Sequence, residues 1–385
     1  MGFFEGGIRP LISSVVTHRQ PLYVQYYVTA RCNLRCQQCN VIYANGDQEE
    51  CSLDQAKAIA ANLASIGTSI VLLTGGEPFA RSDLPEIAEA FIREGIHPRI
   101  QTNGFASREQ LERMVDAGVK DISISLDSLS PGLQEHINGD VKDSWQRALE
   151  KVSEINEIFP RDAFCAFGCV LAPSNIDQVP GIIRFASHIG WWVSLVPAHQ
   201  TPQHSPRSFA TYDKQLIFQQ SDFQKIKRVL DKVHDLKLSG HNLYDSDEYL
   251  TDIYNYVTGN PIAWRRRNDN VCDAPNLYFA IQPNGDMSVC CDYRLHTRYP
   301  VWDPKFPKQY AEQLMYSEAN QIARSCNGCM YGSFPEISIS ARYFKPMFQR
   351  ALLFATDNGQ RALKSVSLSD LIDLAAHFDS SSEAV

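Results

Sequence analysis

A chain of 385 residues with 44% hydrophobic and 21% charged side chains has the composition of a globular enzyme and can bury at least one large core. Its formal charge of −8 argues against nucleic acid as the main partner, because phosphate binding needs a basic face. No run approaches the ~20 apolar residues that span a bilayer, and the start MGFFEGGIRPLISSVV lacks the basic flank of a secretory signal, so a cytoplasmic protein that uses no membrane is expected.

From residue 22 onward, short apolar runs alternate with amphipathic segments. Strands are predicted at 22–29, 69–74, 97–102, 121–126, 164–171 and 192–196, each nearly continuous in apolar character, as strands covered on both faces are. Helices are predicted between them at 53–65, 84–93, 108–117, 144–159 and 179–189, the first opened by the capping box Ser52/Gln55. Such alternation implies βαβ units and a parallel sheet. Periodicity alone does not separate a partial barrel from a doubly wound open sheet. Residues 198–220 are rich in Pro, Ser and Thr and read as a boundary, followed by a helix at 222–236. A strand pair is predicted around 277–282 and 287–291, turned by Pro283-Asn284-Gly285-Asp286. The chain therefore divides into an N-terminal extension (1–21), an α/β unit (22–220), linker helices (221–261), a small cysteine-bearing α+β unit (262–335) and a C-terminal helical segment (336–385).

Eleven cysteines, an odd count without a secretory signal, argue for metal ligation over a disulfide framework. Cys32, Cys36 and Cys39 follow the first strand with spacing C-x3-C-x2-C. Three thiolates on so short a loop can hold one corner of an iron–sulfur cubane each and leave the fourth iron open to a ligand. Zinc would want a fourth protein ligand, and none is obvious nearby. Thr74-Gly75-Gly76-Glu77-Pro78 comes after the second strand, Gln101-Thr102-Asn103-Gly104 after the third, and Ser123-Ile124-Ser125-Leu126-Asp127-Ser128 on the fourth. Polar groups at strand C-termini are where parallel α/β folds place ligands.

These four elements, in this order, resemble the radical S-adenosylmethionine superfamily: its cysteine signature and its GGEP, TNG and SLDS elements. The resemblance implies a partial (βα)6 TIM-like barrel. It also implies a [4Fe–4S] cluster on Cys32, Cys36 and Cys39, and S-adenosyl-L-methionine held by Gly75, Gly76, Glu77, Pro78, Thr102, Asn103, Ser125 and Asp127. Position 38, often aromatic in the family and near the adenine, is Gln here.

Cys272, Cys290, Cys326 and Cys329 form a second group, and spacing alone leaves a zinc ribbon and a cubane equally open. C-x9–15-G-x4-C also opens the SPASM and twitch extensions of the family, which implies a small C-terminal twitch-type domain carrying an auxiliary [4Fe–4S] cluster, two clusters in all. Cys291 competes with Cys290 as the ligand. Cys165 and Cys169 read as core, Cys51 is solitary, and His199 and His204 are unassigned rim residues. Trp264-Arg265-Arg266-Arg267 reads as a solvated face, with a carboxylate clamp as the functional alternative.

By resemblance, a reducing partner such as flavodoxin or ferredoxin drives cleavage of the cosubstrate to a 5′-deoxyadenosyl radical, which abstracts hydrogen from substrate. A fully ligated auxiliary cluster suits an electron acceptor, hence an oxidoreductase performing a dehydrogenation or oxidative decarboxylation. A small-molecule substrate is expected, because the 31 residues before Cys32 are too few for a leader-binding domain. The alternatives are a redox-neutral epimerase using a thiol, or a peptide-modifying maturase. A non-catalytic iron–sulfur carrier would have no need of the three cosubstrate elements.

Overall fold

The computed structural model describes residues 20–39, 49–199, 216–355 and 362–380. Most of the expected N-terminal extension, His204 and the polar tail lie outside these. Strands β1 (Tyr23–Thr29), β2 (Ile70–Gly75), β3 (His97–Thr102), β4 (Asp121–Ser125), β5 (Phe164–Leu171) and β6 (Trp192–Pro197) are parallel neighbours in strict chain order. A doubly wound sheet reverses its strand order at a switch point. Here the order never reverses, and the architecture is that of a partial (βα)6 barrel.

Helices α1 (Leu53–Ser65), α2 (Leu84–Arg93), α3 (Arg108–Asp116), α4 (Pro131–Ile137), α5 (Ser144–Ile158) and α6 (Val179–Ile189) follow the strands. The capping box of α1 is formed, with Gln55 N donating to Ser52 Oγ at 3.2 Å and Ser52 N to Gln55 Oε1 at 2.9 Å. Helix α4 was not expected from sequence, because Ser130-Pro131-Gly132 reads as a turn. Proline at the first helical position, however, is also a helix start. Further on come α7 (Phe223–Leu238), α8 (Asp247–Thr258), β7 (Tyr278–Ile281), β8 (Met287–Ser288), α9 (Phe306–Ala311), α10 (Tyr316–Ser325), α11 (Ser333–Arg342), α12 (Phe344–Ala355) and α13 (Leu368–Ser380). Among the described residues no helix is long and apolar enough to cross a membrane.

The C-terminal hairpin joins the barrel sheet. Strand β7 pairs in parallel with β1, from Tyr23↔Tyr278 to Tyr26↔Ile281, and β8 pairs antiparallel outside it. The turn between them is tight, with Gly285 at φ 83° and its N–H on Gln282 O at 2.8 Å. A Cβ on Gly285 would sit 2.4 Å from Trp302 and 2.7 Å from Cys51 Sγ, so Cys51 is packing for this turn.

Strand alternation sorts the side chains into two faces. Val24, Tyr26, Val28, Cys165, Phe167 and Cys169 join the large core beneath the helices. The other face turns into the barrel. Its N-terminal end is closed by Tyr23, Phe164, Trp192, Tyr244 and the Arg99–Asp121 ion pair, 2.8 Å apart, with the guanidinium 5.4–5.8 Å from two ring centroids. Toward the C-terminal end the inward side chains shorten to Ser123, Ser125, Ala166, Gly168 and Ser194. The barrel is thus plugged at its N-terminal end, and above the plug β4, β5 and β6 line it with small groups. Asp121→Ala leaves a buried guanidinium without its counter-charge and is expected to cost about 3–5 kcal/mol, read as a lower urea midpoint. The pair of changes Arg99→Met with Asp121→Leu should recover most of that loss.

Candidate active site

Cys32, Cys36 and Cys39 lie on the loop that leaves β1, beside the C-terminal ends of β2, β3 and β4. Burial pushes the Cys32 thiol up to about 11 and raises Cys36 well above the ordinary range, each thiol feeling the charge of the others. Thiolates become favourable there only beside a cationic centre. Among the described residues no three His, Cys, Asp or Glu side chains are gathered as a ready site for one metal ion. The fit to a cluster rests instead on the donor set: three neighbouring thiols on one short loop.

The glycine pair is explained by this loop. A Cβ on Gly76 would lie 2.2 Å from Arg31 O and 2.7 Å from Ala30 O, and one on Gly75 would lie 2.2 Å from Thr29 O. Gly76 N and Glu77 N donate to Thr29 O and Arg31 O at 2.8 Å. Thus Gly75 and Gly76 clasp the root of the cysteine loop itself.

Glu77 is sealed from solvent and accepts from Phe79 N at 3.0 Å, Thr102 Oγ1 at 2.8 Å and Asn103 N at 2.7 Å. Burial nevertheless pushes its carboxyl up to about 7 against the pull of these donors. Pro78 opens a short 3₁₀ turn capped by the same carboxylate. Asn103 reaches back, its amide donating to Asn33 Oδ1 at 2.9 Å and to Cys32 Sγ at 3.6 Å. Asp127, also buried and raised to about 7 by burial, accepts from Gln38 Nε2 at 2.9 Å and Val170 N at 2.6 Å. Ser125 Oγ accepts from Gln101 Nε2 at 3.0 Å. Gly75, Gly76, Glu77, Asn103 and Asp127 thus each contact residues 29–38, whereas Ser125 is bonded to Gln101 of β3. Neither buried carboxylate has a basic side chain among its partners in the described residues, which suits a cosubstrate carrying an ammonium and a sulfonium.

Several supports went unread in the sequence. Gly139, at φ 83°, packs so closely that a Cβ would meet Arg35 O at 2.4 Å, and Asn138 accepts the Cys36 thiol at 3.6 Å. The Asn-Gly pair ending α4 was the available signal. Glu50 accepts from Thr29 Oγ1 at 2.5 Å and Arg31 Nε at 2.8 Å, and nothing in its local sequence marked it.

In the second group, Cys290 neighbours Cys272, Cys326 and Cys329 electrostatically, and burial pushes Cys272 up to about 12. Cys291 lies beside Cys290, where Cys290 and Cys329 on one side and Tyr27 on the inner face of β1 all act on it. His199 is a strut: its Nε2 accepts from Met330 N at 2.7 Å and its ring stacks on Tyr331 at 3.8 Å. Burial pushes that imidazole down to about 3, so it stays neutral. Cys165 and Cys169 lie on the helix side of β5, away from the barrel interior.

Gly76→Ala drives a methyl into immovable backbone and is expected to lower the iron held by the Cys32/Cys36/Cys39 loop to less than half of wild type. Gly132→Ala, which meets nothing within 4 Å, should leave it unchanged. Iron analysis of anaerobically loaded protein checks both.

Residues 26–186 match the Radical SAM superfamily. Among curated proteins, a PqqA peptide cyclase of Bradyrhizobium diazoefficiens is 30% identical over 176 residues, 45% of each chain. A probable GTP 3′,8-cyclase of Methanococcus maripaludis is 29% identical over 175 residues, 44% of this chain and 56% of its own. The chain spans about half the length of these relatives. Among solved structures, Streptococcus suis SuiB aligns over 83% of this chain and 72% of its own, with TM-score 0.59 and 17% identity. A structure of anSMEcpe with bound AdoMet and a Kp18Cys peptide aligns over 95% and 100%, with TM-score 0.58 and 12% identity. These two likenesses establish a shared fold. Residues 26–186 therefore carry a Radical SAM superfamily domain, set in a fold shared with both solved structures.

Proposed function

We propose that this chain modifies a peptide by radical S-adenosylmethionine chemistry. The observation that carries this reading is architectural. A likeness in fold covers 95% of the chain to anSMEcpe with a bound peptide and 83% of it to SuiB bound to precursor peptide SuiA. The 30% identity to a PqqA peptide cyclase points the same way. The small molecule expected from sequence therefore yields to a peptide.

In this reading Cys32, Cys36 and Cys39 hold the cluster. Gly75, Gly76, Glu77, Pro78, Thr102, Asn103, Ser125 and Asp127 hold the cosubstrate. Cys272, Cys290, Cys326 and Cys329 hold an auxiliary [4Fe–4S] centre, which makes residues 262–335 a twitch-type domain. When bound, the first cluster and S-adenosylmethionine supply a hydrogen-abstracting radical. The chain's own work is orientation and exclusion of water. Glu77 and Asp127 offer negative charge to the cationic cosubstrate. The plug of Arg99, Asp121, Phe164 and Trp192 closes the barrel below, and the short inward side chains leave room for a peptide side chain above. A centre held by these four cysteines would supply an acceptor for one electron, which would make the net change a two-electron oxidation, with a flavodoxin or ferredoxin as the reducing partner.

The test uses anaerobic full-length protein loaded with iron and sulfide, S-adenosylmethionine, a strong reductant, and short peptides encoded beside its gene. Deoxyadenosine formation should rise with the matching peptide, whose mass should fall by two hydrogens. Cys326→Ala with Cys329→Ala should keep deoxyadenosine formation and lose the modified peptide. Turnover stimulated by GTP and by none of the peptides would overturn the peptide reading. An unchanged peptide mass with inverted stereochemistry would replace oxidation by epimerisation.

A further inference from the structure

The basic run Trp264-Arg265-Arg266-Arg267 splits on folding. Arg266 pairs with Asp269 at 2.9 Å and the Arg267 guanidinium reaches Tyr343 Oη at 3.2 Å, both at the surface. Arg265 goes inside and is only 5% exposed. A guanidinium carries five N–H donors and keeps its charge under all ordinary conditions. Arg265 uses Nη2 on Ala323 O at 3.1 Å, while its Nε has no partner. Among the described residues it makes no ion pair, whereas the nearby Arg342 is matched to Asp273. A buried cation without a counter-charge is costly enough that proteins rarely keep one.

What faces it is the second cysteine group. Arg265 and Asp292 both lie close enough to Cys326 to act on it, with opposite charge. A Cβ on Gly328, at φ 105°, would lie 3.4 Å from Arg265 Nη1, so the guanidinium lies against the Cys326–Cys329 knuckle. Gly328 N in turn donates to Cys326 Sγ at 3.3 Å.

We propose that Arg265 is the built-in counter-cation of an anionic four-thiolate centre on Cys272, Cys290, Cys326 and Cys329, and that it holds the reduction potential of that centre up. This rests on the auxiliary-cluster reading above. An oxidised [4Fe–4S] core with four thiolates is a dianion, and it gains one further negative charge when one electron enters from the substrate or from a flavodoxin-class donor. A fixed cation stabilises the reduced form more than the oxidised one, which favours electron acceptance. The charge therefore fits the acceptor role, and the buried Nε is a donor that no protein group satisfies. The competing role is structural, since Ala323 O belongs to the last turn of α10 and a cation there caps the helix.

Potentiometry separates the two roles. Full-length protein carrying Cys32→Ala, Cys36→Ala and Cys39→Ala should hold about four irons, and its single centre is titrated against a dye series with spectroscopic detection. Arg265→Gln should shift the midpoint to more negative potential with the iron retained. Arg265→Lys should restore most of the shift, and Arg266→Gln should leave the midpoint where it is. An unmoved midpoint in an iron-replete Arg265→Gln protein would overturn the proposal. If Arg265→Gln loses iron while Arg265→Lys keeps it, the need for charge stands; if both lose it equally, the role is packing and the proposal fails. Zinc in the parent protein would overturn the cluster reading and the potential-setting role together, and metal analysis reports that before any titration.

Discussion

The site depends on one buried carboxylate. Among the described residues Glu77 has no cationic partner, and it is sealed from solvent, yet it accepts hydrogen bonds from its own turn and from both Thr102 and Asn103. Those bonds tie the exit of β2 to the exit of β3, and Asn103 carries the link on to the cysteine loop. Gly75 and Gly76 press the same turn against the backbone of residues 29–31. An unmet acceptor in that position costs about 1–3 kcal/mol, so the three elements are held in common or not at all. Asp127 repeats the device on the far side, joining Gln38 of the loop to Val170 of β5. A loop rich in thiols and open to solvent on one side is thus fixed from two directions.

The barrel was legible because its information is local. Helices α1, α2 and α6 and strands β3 and β5 begin and end where apolar periodicity and capping residues place them, and Ser52/Gln55 form the expected reciprocal pair. The six βα units then admit few topologies, since parallel neighbours need right-handed crossovers. Non-local pairing was out of reach. Nothing within Tyr278–Ile281 announces a partner some 250 residues earlier in the chain, and a single strand next to a Pro-Asn-Gly-Asp turn reads as half of an isolated hairpin.

At the site, the motif residues were legible and their first duties were not. Gly76 and Glu77 were read as facing a ligand, whereas each also serves the cysteine loop, a relation between chain segments that only packing reveals. The run at 264–267 was harder. Three arginines in a row look like one solvated face, but in irregular backbone each side chain takes its own direction, and Arg265 alone turns inward. Cys165 and Cys169 illustrate the reverse case. Their spacing of four on a strand correctly puts them on one face, yet which face is settled only by the helices that cover it.

Strand β1 is what the two cysteine groups share. Its C-terminal end launches the Cys32–Cys39 loop, and on the side away from β2 it pairs with β7, whose hairpin leads to Cys290. The separation between the groups is therefore set by a hydrogen-bonded ladder rather than by a linker. Cys290 and Cys291 sit there between the other thiols and Tyr27 inside the barrel. On the opposite side His199 grips Met330 and stacks on Tyr331, so the knuckle bearing Cys326 and Cys329 is held to the end of β6. The second group is consequently clamped across the seam that a six-stranded barrel leaves open. Electron exchange between a barrel interior and a distal centre is most sensitive to distance, and this arrangement makes that distance a property of the sheet.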